Sequence, residues 1–231
     1  MLNYEVDPKI LSPYVPTGTE LDSWGGKTYV SMVAFMFLKT KIRGMRIPFH
    51  QNFEEINLRF YVRGKGPEDW RRGVVFIKEI VPRMGIAAVA RLFYNENYVA
   101  LPMRHRLDVA TTNPVAEYGW QFRGVWNRIH LKAVGDPALV NAGSLEEFIT
   151  EHYWGYAVQK NGGCMEYQVE HPKWRVWQVE QASLECDVKG LYGEEFASFL
   201  NTVPNSAFLA EGSEVAVYSG RQIWAVELEL L

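Results

Sequence analysis

The chain has 231 residues, 48% hydrophobic and 22% charged, with a formal net charge of −3. That length suits one large β domain or two small ones, and the slight negative charge argues against a nucleic-acid binder, which needs a basic excess. Two cysteines, Cys164 and Cys186, are too few for a disulfide framework and fit a reducing compartment.

The N-terminal stretch M-L-N-Y-E-V-D-P-K lacks a basic region followed by an apolar core, so no signal peptide is expected. The longest apolar run, residues 30–38, is too short to span a bilayer as a helix. A cytoplasmic protein without membrane partners is the expectation. Residues 1–24 carry Pro8, Pro13, Pro16 and Gly18 and predict an extended N-terminal arm. Residues 28–39, T-Y-V-S-M-V-A-F-M-F-L-K, are almost continuously apolar and predict a central strand covered on both sides. A basic loop follows over 41–48.

Phe53–Arg63, F-E-E-I-N-L-R-F-Y-V-R, alternates strictly. Ile56, Leu58, Phe60 and Val62 fall on one side of a strand, and Glu55, Asn57, Arg59, Tyr61 and Arg63 on the other. A turn at 64–70 and a strand over 73–81 complete a predicted antiparallel hairpin. Lys78 is expected on the side of Val74 and Phe76, as a strand-end lysine with its amine reaching outward. The period then changes. Ile86, Val89, Ala90 and Phe93 recur at helical spacing behind Pro82 and predict a helix over 82–94.

Short strands are expected over 98–134, with turns near Asn113-Pro114 and Gly124–Asn127. Ser144 and Glu147 form a capping box at the head of a helix over 144–152. Residues 156–160 and 165–170 predict a hairpin across Asn161-Gly162-Gly163, and 174–188 a long strand. A short helix over 194–200 and closing strands over 215–218 and 223–230 end the chain.

The five histidines are scattered without metal-ligand spacing, and neither a serine-hydrolase elbow nor a phosphate loop is present. No metal and no cofactor are therefore expected. The polar side of 53–63 has two readings. Pattern alone favours the wet face of an antiparallel sheet. If the sheet curls, that side instead lines a pocket, where Glu55 and Arg59 would pair and bind a small carboxylate or carbonyl, with Arg91 and Tyr94 as further donors.

Five stretches resemble the YqjF-like family, a bacterial domain of unknown function: V-P-T-G-T-E-L-D-S-W-G-G-K (15–27), F-E-E-I-N-L-R-F-Y-V-R (53–63), G-V-V-F (73–76), A-R-L-F-Y (90–94) and S-L-E-E-F-I-T-E-H-Y-W-G-Y (144–156). That family is similar in fold to acetoacetate decarboxylase. The resemblance implies an α+β, mainly β fold: one domain over 1–231, an antiparallel cone-like β-barrel with two or three peripheral helices and a small-molecule pocket. In the decarboxylase a lysine forms a Schiff base with a β-keto acid. Phe53-x-Glu55 matches the acid strand, but Tyr98 stands where the reactive lysine would be, and residues 80–131 contain no lysine. Schiff-base decarboxylation is therefore not expected.

The functional expectation is a barrel pocket for a small organic acid or carbonyl compound. Glu55 is the candidate catalytic acid or base, and Asn57, Arg59, Arg91, Tyr94 and Tyr98 the candidate ligand-binding residues. A lyase or hydrolase acting on a keto acid is the alternative, a structural protein with a filled barrel the second. Assembly into a homo-oligomer stays open.

Overall fold

The computed structural model describes residues 1–42, 45–46, 51–85, 97–159 and 162–223. The first strand, β1 (Leu2–Val6), corrects the extended arm expected for 1–24. Leu2, Tyr4 and Val6 alternate toward the core, so β1 lies inside the sheet, paired antiparallel to β3 (Thr28–Phe37) and β15 (Ser206–Ala210). The prolines act only after it. Pro8 opens the short helix α1 (Pro8–Leu11), capped by Asp7 Oδ1, which accepts from Lys9 N at 2.9 Å. A 3₁₀ turn (Ser12–Tyr14) and β2 (Thr19–Leu21) follow.

The continuously apolar β3 is central as expected, between β1 and β6 (Phe53–Lys65). The basic loop holds a small hairpin, β4 (Lys41–Ile42) with β5 (Met45–Arg46). β6 and β7 (Trp70–Val81) form the predicted hairpin, with one irregularity. Leu58 faces Lys78 but Arg59 faces Phe76, so Ile77 is an extra residue in β7. This bulge inverts the side-chain alternation along β7. Lys78 therefore lies on the Leu58 side, opposite to Val74 and Phe76, where unbroken alternation would have put it with them. Its amine donates to the Leu191 carbonyl.

Beyond Met84-Gly85 the expected helix over 82–94 lies outside the described residues. β8 (Tyr98–Ala100), β9 (Met103–Asp108), β10 (Val115–Phe122) and β11 (Val125–Leu139) supply the expected short strands. The turn between β10 and β11 sits at Arg123 and Gly124, both with positive φ (49° and 83°), the conformation that suits a two-residue hairpin.

Helix α2 (Leu145–Thr150) begins as its capping box predicts. Ser144 Oγ accepts from Glu147 N at 3.2 Å, while Glu147 Oε2 accepts at 2.7 Å from Gly143 N, one residue before the usual partner. β12 (Trp154–Val158), β13 (Cys164–Glu170) and β14 (Arg175–Glu185) follow. β14 stops short of Val188 because Asp187 turns to cap α3 (Val188–Tyr192), accepting from Gly190 N at 2.9 Å. Helix α4 (Glu194–Leu200), then β15, β16 (Ala216–Val217) and β17 (Arg221–Ile223), close the described chain. The strand expected over 223–230 lies outside it beyond Ile223. Cys164 and Cys186 are not joined in a disulfide.

The strands form one large sheet in the order β16-β13-β12-β7-β6-β3-β1-β15-β14-β11-β10-β9, with β17 on β13, β2 on β6 and β8 on β7. β12 and β8 run parallel to β7, so the sheet is mixed. Its end strands β16 and β9 do not pair with each other among the described residues. The expected closed antiparallel barrel is thus an open mixed sheet there. β9 exposes Arg104, His105, Arg106 and Asp108, the charged composition that keeps an edge strand unpaired.

Both sides of β6 are covered. Leu58, Phe60 and Val62 join Trp120, Ile129, Tyr192 and Phe196 in the main core. Tyr61 joins Tyr29, Val74, Phe148, Ile149, Val176 and Phe208 in a second core beneath α2. This second layer keeps water from the polar side of β6.

Candidate functional site

The polar row of β6 is not a wet face. Glu55 and Asn57 are each 2% exposed, and Arg59 is half-buried. Register places Phe35 of β3 beside Glu55, Val33 beside Asn57 and Ser31 beside Arg59. Phe37 packs on Phe53 with ring centres 4.9 Å apart, so the Glu55 end has an aromatic wall.

Among the described residues the Glu55 carboxylate has two donors. Asn57 Nδ2 reaches Oε1 at 3.1 Å and the Tyr98 hydroxyl reaches Oε2 at 3.1 Å. Both are neutral. Burial pushes the carboxyl up to about 7, and these hydrogen bonds offset only part of that. Glu55 thus exchanges its proton near neutral pH, the range in which one carboxyl can serve as acid and as base.

Arg59 does not form the expected pair with Glu55. Its Nη2 donates to the Ile149 carbonyl near the end of α2, at 3.1 Å, and its guanidinium lies 5.6 Å from the Tyr61 ring centre. Asn57 stands between the two side chains on the strand. Among the described residues Arg59 has no carboxylate partner. Two buried atoms of the row, Asn57 Oδ1 and Arg59 Nε, have no hydrogen-bond partner there.

The row continues into a polar chain across the sheet. Tyr61 and Ser31 hydroxyls meet at 2.5 Å, Ser31 Oγ donates to Asn3 Oδ1 at 2.6 Å, and Asn3 Nδ2 donates to Ser206 Oγ at 2.9 Å. Behind Tyr61 lies a His–Asp–Arg cluster. The His152 ring packs on Tyr61, centres 4.6 Å apart, with Nε2 3.6 Å from Asp22 Oδ2. Arg72 Nε donates to that same oxygen at 2.7 Å. Burial lowers the imidazole to about 4, with the Arg72 and Arg59 charges adding to the effect and Asp22 opposing it in part.

Of the residues singled out by sequence, the fold brings Glu55, Asn57 and Tyr98 into one hydrogen-bonded group and sets Arg59 one step along the same side. Arg91 and Tyr94 lie outside the described residues. Sequence reading missed Glu79, 2% exposed and paired in register with Asn57. Its signal was present: one carboxylate inside the apolar run of β7, flanked by Ile77, Ile80 and Val81. Among the described residues no cluster of three or more His, Cys, Asp or Glu side chains is arranged to hold a metal. No described helix is long and apolar enough to cross a membrane.

Comparison with known proteins fits this picture. A curated relative, the uncharacterized protein YqjF of Bacillus subtilis (strain 168), is 26% identical over 187 residues, covering 80% of this chain and 74% of its own. Among solved structures, the enduracididine biosynthesis enzyme MppR complexed with pyruvate superposes with a TM-score of 0.65 at 11% identity, covering 97% of this chain and 87% of that one. Acetoacetate decarboxylase from Legionella pneumophila gives 0.59 at 13% identity, covering 96% and 83%. An acetoacetate decarboxylase-like enzyme from Sphingomonas wittichii RW1 gives 0.58 at 15% identity, covering 96% and 86%. These likenesses establish an acetoacetate decarboxylase-like fold. The DUF2071 family, described as an uncharacterized conserved protein, matches residues 1–214, and the chain belongs to that family.

Proposed function

We propose that this protein binds a small organic acid or carbonyl compound along the polar row of β6. The observation that carries the reading is Glu55: a fully buried carboxyl with only neutral donors among the described residues, raised to about 7. A buried acid left without a countercharge destabilises a fold, so its presence points to chemistry. Arg59, without a carboxylate partner among the described residues, supplies the anion anchor, and Arg91 and Tyr94 are assigned to the same ligand. Tyr98 orients Glu55, which acts as general base or acid on any proton the ligand exchanges. A structural neighbour holds pyruvate, which lends support to the ligand class. Two cysteines that form no disulfide with each other fit a cytoplasmic setting.

A lysine-based lyase is less well supported. Tyr98 occupies the place expected for the reactive amine. Burial lowers the Lys78 amine below its ordinary range, but the bulge at Ile77 turns it to the opposite side of the sheet from Glu55. One substrate cannot touch both.

Calorimetric titration with pyruvate and acetoacetate, alongside borohydride trapping, tests the proposal. Reversible binding that Glu55→Gln and Arg59→Ala weaken, without a covalent lysine adduct, is the expected result. Unchanged affinity in both variants would move the pocket elsewhere, and a trapped lysine would replace binding with Schiff-base catalysis.

A further inference from the structure

We infer that the ligand carries a hydroxyl beside its carboxylate: a 2- or 3-hydroxy acid rather than the keto acid of the same skeleton. This rests on the proposed binding row and specifies what the row selects. Two buried atoms of that row are left over among the described residues. Among the described residues Asn57 Oδ1 is an acceptor without a donor, on a side chain whose residue is 2% exposed, and Arg59 Nε is a donor without an acceptor. The other groups of Asn57 and Arg59 noted above are engaged: Asn57 Nδ2 with Glu55, and Arg59 Nη2 with the Ile149 carbonyl.

The orientation of Asn57 is set by that bond to Glu55. With the amide nitrogen turned to the carboxylate, its carbonyl oxygen points away and can only accept. A ligand must therefore bring an acceptor for Arg59 and a donor for Asn57. A carboxylate supplies the first. A keto oxygen cannot supply the second, because it accepts only, whereas a hydroxyl donates. Successive side chains on one side of a strand lie about 6.7 Å apart. Two hydrogen bonds of about 2.8 Å and the short separation of a hydroxyl from its neighbouring carboxylate bridge that span.

A buried acceptor left unpaired weakens a complex, and sites built to hydrogen-bond a substrate hydroxyl reject analogues that lack it. The test is calorimetric titration of the wild-type chain at pH 6.5 with two matched pairs: lactate against pyruvate, and 3-hydroxybutyrate against acetoacetate. The inference expects the hydroxy acid of at least one pair to bind about ten-fold tighter, the equivalent of one buried hydrogen bond. Asn57→Leu should bring the ratio of the two affinities within each pair to about one, whatever it does to either affinity alone.

Keto acids binding as tightly as both hydroxy acids would overturn the inference and leave the proposed site intact. So would a preference that survives Asn57→Leu. If none of the four binds, the proposed site itself falls, and this inference with it. The wild-type comparison decides between these outcomes even if the variant fails to fold.

Discussion

Glu166 on β13 and Glu55 on β6 are buried alike, 3% and 2% exposed, but their neighbours differ. Glu166 accepts from Arg71 Nη1 at 2.6 Å, from Arg221 Nη2 at 3.3 Å and from the Tyr156 hydroxyl at 3.1 Å. Arg71 is itself stacked over Trp154, 4.2 Å from the ring centre. Among the described residues Glu55 receives an amide and a phenol and no cation. Asp22 resembles Glu166: burial raises its carboxyl, but contacts with His152 and Arg72 outweigh burial and hold it below the ordinary range. Charge compensation ties two of these acids into the architecture. The third has no countercharge among the described residues, and that is the physical basis for proposing a function for it.

The comparison breaks most sharply at Glu166. Arg71→Ala would leave a buried carboxylate with one exposed guanidinium, and is expected to cost about 3 kcal/mol in urea denaturation. A loss near zero would mean that Glu166 is no better compensated than Glu55.

Glu55→Gln should act in the opposite sense. A carboxyl raised from 4.5 to about 7 contributes its stability in full below pH 4.5, and that contribution is lost as pH rises through 7. The glutamine variant should therefore match wild type at pH 4 and exceed it at pH 8, by up to about 3 kcal/mol. Equal stability at pH 8 would show that Glu55 has an unseen countercharge.

His152 sharpens the contrast from the acid side. Its imidazole is neutral in the fold, lowered from 6.5 to about 4, so stability is lost as pH falls through that window. His152→Gln should lose up to about 3 kcal/mol less than wild type between pH 7 and pH 4. The difference between the two proteins must be compared, because Glu55 gains stability across much of the same range. The smallest effect belongs to Tyr98→Phe. Removing one neutral donor should cost about 1 kcal/mol at pH 8 and move the Glu55 midpoint further up.

Much of this was legible along the chain. Strict alternation in 53–63 marked β6 and its polar row, the S-x-x-E box marked α2, and Glu55, Asn57 and Tyr98 come together in the fold. Other features had no local signal. The bulge at Ile77 reflects how β7 meets β6, and it reverses the side on which Lys78 lies. β1 was hidden by the prolines that follow it, although Leu2, Tyr4 and Val6 already alternate. The Ile149 carbonyl captures Arg59, and Asp22 stands near His152, through contacts between segments far apart in sequence. Pairing Glu55 with Arg59 from spacing alone failed because Asn57 lies between them and α2 offers the guanidinium a nearer acceptor.

The most direct test of the account is the titration of Glu55 itself, followed by carbon-13 NMR of the side-chain carboxyls in wild type and in Glu55→Gln to assign the signal. The account predicts a midpoint near 7 for the resonance that the variant lacks. A midpoint in the ordinary carboxylate range, near 4.5, would contradict it: Glu55 would then be a compensated acid, with no proton to exchange at neutral pH.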